Sequence, residues 1–204
     1  MRTRLFVDFW NFQINWNSRS KKHIDWQKVP HVLLGEAQRI ISNGGLTGKL
    51  AFEEIRVYSS FEPAKGNDRK LKGWLQSWLD RQPGFTVSIR ERKSRQKPIR
   101  CRECGHEVAQ CCKCQKPYSH AAEKGVDTAI CTDLLSLAWE GAYDLAILLS
   151  SDADYIPAVE RLQTKKFKII NATWHGHGHD LAKTCWAHFE IDSLIPHLER
   201  PPQS

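Results

Sequence analysis

The sequence predicts a three-layer α/β/α sandwich around a mainly parallel sheet, with a small cysteine-rich insertion. Three observations carry this. Short apolar runs alternate with amphipathic segments of helical spacing, which is the pattern of βαβ units. The most apolar run, LAILL from Leu145 to Leu149, has no polar alternation and needs helices on both faces. One stretch, Arg90 to about Tyr118, breaks the alternation with basic and then cysteine residues and little apolar content. A length of 204 residues suits one domain with a modest insertion.

The elements follow in order. Leu5 to Phe9 reads as a buried first strand ending near Asp8 and Asn11. Trp26 to Ile41 has apolar residues at helical spacing, with Asp25 as a candidate N-cap and Asn43-Gly44-Gly45 as the stop. Glu54 to Tyr58 reads as a second strand. Asp68 to Leu79 reads as a helix with Leu71, Leu75, Trp78 and Leu79 inward, ended by Pro83-Gly84. Phe85 to Ile89 alternates like a third strand. Lys124 to Trp139 returns to helix, and Asp144 to Leu149 is the fourth strand. Ala153 to Leu162 reads as a helix with Pro157 in its first turn, where proline is tolerated. Phe167 to Ala172 is the fifth strand, and His179 to Trp186 and Asp192 to Leu198 read as short helices.

Composition narrows the class. Apolar residues make up 41% of the chain, enough for a core. The net charge of +7 favours an anionic partner, of which nucleic acid is the commonest. Of seven cysteines, five fall between Cys101 and Cys114, a spacing that suits metal-held thiolates in a reducing compartment better than a disulfide framework. The N-terminal residues lack the features of a signal peptide, and no apolar run reaches the roughly 20 residues of a membrane span. The expectation is a soluble, cytoplasmic protein with no membrane partner.

In parallel α/β folds ligands bind at the carboxyl ends of strands, near the point where strand order reverses. Asp8 ends the first strand, Asp152 and Asp154 follow the fourth, and Asp127 lies in the first turn of the helix after the insertion. If the first and fourth strands are neighbours, these carboxylates converge. A cation would then neutralise them, and oxygen-only ligands select Mg²⁺ or Mn²⁺. Such ions activate water and stabilise a phosphodiester transition state. The plainer alternative makes these aspartates helix caps, Asp152 for the helix after it and Asp127 for its own.

Three segments carry a resemblance: VDFWN (Val7 to Asn11), EKGVDTAICTDLL (Glu123 to Leu135) and LLSSDADYIPAVERL (Leu148 to Leu162). In this order they resemble the NYN domain of the PIN-like nuclease superfamily, over most of the chain outside the insertion. The resemblance implies a PIN-like α/β/α domain over 1–204 and metal-dependent cleavage of RNA. It aligns Asp8, Asp127, Asp152 and Asp154 with the family's acidic site, Asn11 with its polar companion, and Asp133 with a second acid on the same helix. Asp133 also shares the apolar face of its helix, being seven residues after Val126, where it would serve backbone or hydroxyl donors instead. Asn11 has the alternative of a turn residue, and Ser150 and Ser151 those of steadying the loop or touching a phosphate.

The cysteines Cys101, Cys104, Cys111 and Cys114 form C-x2-C-x6-C-x2-C, the pattern of a closed tetrahedral Zn²⁺ site. This predicts a structural zinc ribbon over 99–118, folded by its metal. Cys112 is an alternative to Cys111, and His106 and His120 are further alternatives. The ribbon lies outside the NYN pattern and is a candidate contact for a second copy or another protein.

From Arg90 to Arg102 there are seven Arg or Lys against one Glu. A solvated charge run is the plain reading. Beside an acidic centre, Arg90, Arg92, Lys93, Arg95, Lys97 and Arg100 are candidate RNA contacts, because a site that repels phosphate needs a cationic strip to hold it. Lys65, Arg69, Lys70 and Lys72 extend the strip. Trp78 and Trp139 fall on apolar helix faces and are expected in the core. Trp10 and Trp174 follow strand ends and are candidates for base stacking or core packing. The Gly-His run from His175 to His179 reads as a flexible, substrate-facing loop.

Three functions compete. The leading one is a Mg²⁺- or Mn²⁺-dependent endoribonuclease acting on single-stranded or structured RNA. The second is a catalytically weak module that binds RNA or protein on the same fold. The third is a phosphatase-like hydrolase with Asp8 as nucleophile, disfavoured by Trp10 where a second acid would stand.

Overall fold

The computed structural model describes residues 1–45, 47–122 and 125–201, without the side chains of residues 94–96 and 119–122. Its centre is a six-stranded sheet whose adjacent strands all pair in parallel. Strand β1 (Arg2–Asp8) runs directly into helix α1 (Phe9–Arg19). Then come α2 (Val29–Asn43), β2 (Ala51–Phe61), α3 (Gly66–Ser77) and β3 (Phe85–Glu91). Four short strands build the insertion: β4 (Lys93–Gln96), β5 (Ile99–Arg100), β6 (Glu107–Val108) and β7 (Ser119–Ala122). The chain rejoins the core through α4 (Val126–Trp139), β8 (Leu145–Leu149), α5 (Ile156–Thr164), β9 (Lys168–Thr173), α6 (His179–Thr184), β10 (Ala187–Glu190) and α7 (Ile195–Leu198). The predicted helix start at Lys124 lies outside the described residues.

The strand order is β10-β9-β8-β1-β2-β3. The chain winds outward from β1 to β3 and returns to lay β8 on the other side of β1. The first and fourth predicted strands are therefore neighbours, with Val7 opposite Leu149. The sheet carries a sixth strand, β10, that sequence reasoning did not foresee.

Side-chain alternation explains the two core layers. Leu5, Val7, Ile55, Val57, Leu145, Ile147 and Leu149 face α1, α2, α3 and α7. Phe6, Tyr58, Ala146, Leu148 and Ile169 face α4, α5 and α6. All five residues of β8 are buried, as its unbroken apolar run requires. Each such Leu or Ile contributes roughly 1.5–3 kcal/mol. Asp8 and Ser150 continue the second register, so both point to the α4 and α5 side at the carboxyl ends of their strands.

Helix α1 is absent from the sequence expectation, which gives only a first strand over Leu5 to Phe9 ending near Asp8 and Asn11. The structure makes Asp8 the N-cap of α1, and Phe9, Phe12 and Trp16 form its buried stripe. Trp139, expected in the core, is 55% exposed, since it stands one residue past the buried stripe of Val126, Ile130, Leu134 and Ala138 on α4. Pro157 falls in the first turn of α5 as expected. Among the described residues no helix is long and apolar enough to cross a membrane.

Candidate active site

The acidic residues gather where strand order reverses, at the carboxyl ends of β1 and β8. Asp8 is 7% exposed. Its Oδ1 accepts the Asn11 N–H at 3.2 Å, capping α1. Its Oδ2 faces the Ser150 hydroxyl at 3.3 Å and the Tyr155 hydroxyl at 3.1 Å. The Tyr155 hydroxyl also lies 3.0 Å from Asp127 Oδ1. One phenol thus ties a strand-end acid to a helix-start acid. Burial, with the Asp8 and Asp127 carboxylates, pushes the Tyr155 phenol far above its ordinary value, so it keeps its proton and donates.

Asp127 is delivered by the first turn of α4. Gly125 precedes that helix at φ 86°, and among the described residues no side chain caps its N-terminus. The positive helix end therefore sits beside the carboxylates, which lowers the cost of bringing them together. Asp152 accepts the Asp154 N–H at 3.0 Å and caps a single 3-10 turn, Ala153–Tyr155. That turn leaves Asp154 exposed at the rim and swings Tyr155 inward. Cys131, one helical turn after Asp127, registers the cluster. Its thiol is raised first by burial, then by Asp127, Asp154 and Asp152, so all three carboxylates lie within electrostatic reach of it.

A polar frame holds the loop between β8 and the 3-10 turn. Asn11 Oδ1 accepts the Ser151 N–H at 3.0 Å. The Asn171 amide donates to the Leu148 and Ser150 carbonyls. Ser151 and Thr173 hydroxyls meet at 3.0 Å, and Thr173 donates to the His177 carbonyl. Gly178 closes against this loop at φ 66°: a methyl group there would stand 2.8 Å from the Ser151 Cα. The Gly-His segment, expected to be a flexible loop, is thus packed onto the acidic loop through His177 and Gly178. His175 pairs with Glu190 instead of facing the site.

Several candidates are placed elsewhere or engaged. Asp133 accepts from Arg56 at 2.8 Å and from the Tyr58 hydroxyl at 2.6 Å. It lies six residues past Asp127, roughly 9 Å further along the helix axis, over β2 rather than over the strand ends. Arg92, offered as an RNA contact, pairs with Asp68 at 2.8 Å and covers the Trp10 ring. Trp10 donates to the Ser60 carbonyl, and Trp174 is buried beneath Arg19, so core packing claims Trp174. Arg90, Lys93, Lys97 and Arg100 are exposed. The Arg95 and His120 side chains lie outside the described residues. Sequence reasoning missed Tyr155 and Cys131. Their signals were a spacing of three residues from Asp152 and of four from Asp127, which place side chains on the acidic face of each turn.

The donor set suits a hard cation: carboxylate oxygens from four chain positions, with imidazole and thiolate donors absent from those positions. Among the described residues no three His, Cys, Asp or Glu side chains are closed around a single point at metal-binding range. The carboxylates are held by the chain's own donors, Asn11 N–H, Ser150, Tyr155 and Asp154 N–H. The insertion opens at this same end of the sheet: β4 follows the end of β3, and β7 leads back to Gly125 and Asp127.

Comparison with known proteins agrees with this architecture. The chain is similar to a solved structure titled a protein of unknown function, VPA0982, from Vibrio parahaemolyticus RIMD 2210633. The two share 18% identity at a TM-score of 0.54, over 93% of this chain and 92% of that one, which speaks to fold alone. No curated protein matches the chain. The NYN domain family model matches residues 2–192. With the parallel sheet and the acids at its reversal point, this places the chain in the NYN domain family, which has the fold of PIN-like nucleases.

Proposed function

We propose that the protein is a metal-dependent ribonuclease that hydrolyses RNA phosphodiester bonds endonucleolytically. The observation that carries the reading is the Tyr155 bridge between Asp8 and Asp127, set beside Asp152 and Asp154 where the strand order reverses. Asp8, Asp127, Asp152 and Asp154 would hold Mg²⁺ or Mn²⁺. Such an ion, when bound, activates the attacking water and offsets charge on the phosphate. Tyr155 orients the two inner carboxylates, and Asn11 with Ser151 fixes the loop that carries the outer two. Arg90, Lys93, Arg95, Lys97 and Arg100, in and beside the arm, supply positive charge for the RNA backbone.

Labelled RNA and DNA are incubated with Mg²⁺, Mn²⁺ or EDTA, beside Asp152→Asn. The reading expects RNA cleavage with the divalent ions, and a loss of more than about 100-fold with EDTA or the substitution. Cleavage that survives either would overturn the metal mechanism. One observation favours a second reading, a module that binds RNA without cutting it. Asp8 and Asp152 each give an oxygen to a helical cap, a role that needs no chemistry. Tight RNA binding without cleavage under every condition would establish that module instead.

A further inference from the structure

We infer that Cys101, Cys104, Cys111 and Cys114 bind one Zn²⁺ and that Cys112 stands outside the ligand set. The arm contains two turns of one design, ten residues apart. In the first, the Cys101 N–H bonds the His106 carbonyl at 2.8 Å, and the Gly105 N–H bonds the Cys101 carbonyl at 3.1 Å. In the second, the Cys111 N–H bonds the Lys116 carbonyl at 2.9 Å, and the Gln115 N–H bonds the Cys111 carbonyl at 2.8 Å. The residue after each second cysteine is left-handed, Gly105 at φ 73° and Gln115 at φ 56°. Gln115 adopts this conformation without a glycine's freedom, so the turn geometry is imposed on it.

The two turns also align residue by residue. Position by position, Cys112 corresponds to Arg102 and His106 to Lys116. A design that works with arginine and lysine at those places does not need Cys112 or His106 as ligands.

Each turn carries two cysteines on one bend, and the metal would join the two pairs. The hairpins spring from one ladder, which brings their bases together. Tyr118 accepts the Lys97 N–H and donates its own to the Ala109 carbonyl, β5 pairs with β6, and Gln110 bridges Pro117. Among the described residues, neither hydrophobic core includes one from 90 to 125. The arm's large apolar residues Ile99 and Val108 are 55% and 39% exposed. A segment without a core is held by cross-links, and four free thiols in paired turns supply them through a metal. Four thiolates close the tetrahedron, so this zinc is structural and takes no part in hydrolysis.

The test is metal analysis of the purified full-length chain, and it is independent of the ribonuclease reading. One zinc per chain is expected in the parent and in Cys112→Ser. Cys101→Ser and Cys111→Ser are expected to lose it while the far-ultraviolet circular dichroism of the α/β core persists. Replacement with Co²⁺ is expected to give the absorption of a tetrahedral tetrathiolate. A chain that takes up neither Zn²⁺ nor Co²⁺, or that holds iron instead, would overturn the site. Loss of zinc in Cys112→Ser, or full zinc in Cys101→Ser, would overturn the ligand set.

Discussion

The acidic end of the sheet and the cysteine arm both gather side chains that suit metals, but they are built in opposite ways. The acids stand on fully packed elements. Beneath Asp8 lie Phe6 and Leu148 in one core layer and Val7 and Leu149 in the other. Tyr155, itself buried, sets the spacing of two carboxylates. Among the described residues the arm has no core beneath it, and its turns are held mainly by backbone bonds, with Gln115 donating to the Cys112 carbonyl in the second. A site resting on a core is positioned before any ligand arrives. A site resting on turns gets its rigidity from the ligand. The first arrangement suits an ion that must exchange and react; the second suits one that stays.

Three substitutions sharpen this contrast, taken from the largest expected effect to the smallest. Gly178→Ala forces a methyl group against Ser151 and Thr173 at a left-handed position. It is expected to cost about 2–4 kcal/mol from overpacking and backbone strain together, read by denaturant unfolding. RNA cleavage should fall with it, because the displaced loop carries Asp152. Tyr155→Phe removes the hydroxyl between Asp8 and Asp127 and keeps the ring in its pocket. Cleavage should drop about 10- to 100-fold, and the Mn²⁺ requirement in activity titrations should rise. An unchanged metal requirement would mean that the phenol merely fills space. Asp133→Asn weakens the links to Arg56 and Tyr58 away from the site. It should lower stability by about 1 kcal/mol and leave cleavage within about twofold; a loss as large as that of Asp152→Asn would return Asp133 to the centre.

Much of this was legible in the sequence, for physical reasons. The LAILL run declares a buried strand because both its faces are apolar, and the strand-end rule then locates Asp8, Asp152 and Asp154 together. Helix α1 was legible in principle: Phe9, Phe12 and Trp16 fall at helical spacing. It was hidden because Trp10, Phe12, Ile14 and Trp16 also alternate as in a strand, and because Asp8 ends one element and caps the next. Strand β10 offers Phe189 and, in part, the small Ala187 to the core, too little for a periodic signal. Tyr155 reads as one more aromatic residue until the fold turns its hydroxyl toward two carboxylates contributed by residues 28 and 147 positions away. Arg92 shows the converse. Its place in a basic run suggests a substrate contact, but Asp68, distant in sequence, engages it.

The proposed function requires one hard-cation site at the end of β1. Mn²⁺ binding to the purified full-length protein, followed by electron paramagnetic resonance without RNA, tests it most directly. The account predicts one saturable Mn²⁺ site in the parent protein, lost in Asp8→Asn with the melting transition still cooperative, and unaffected by Cys112→Ser. Equal Mn²⁺ binding by the parent and a folded Asp8→Asn would contradict it.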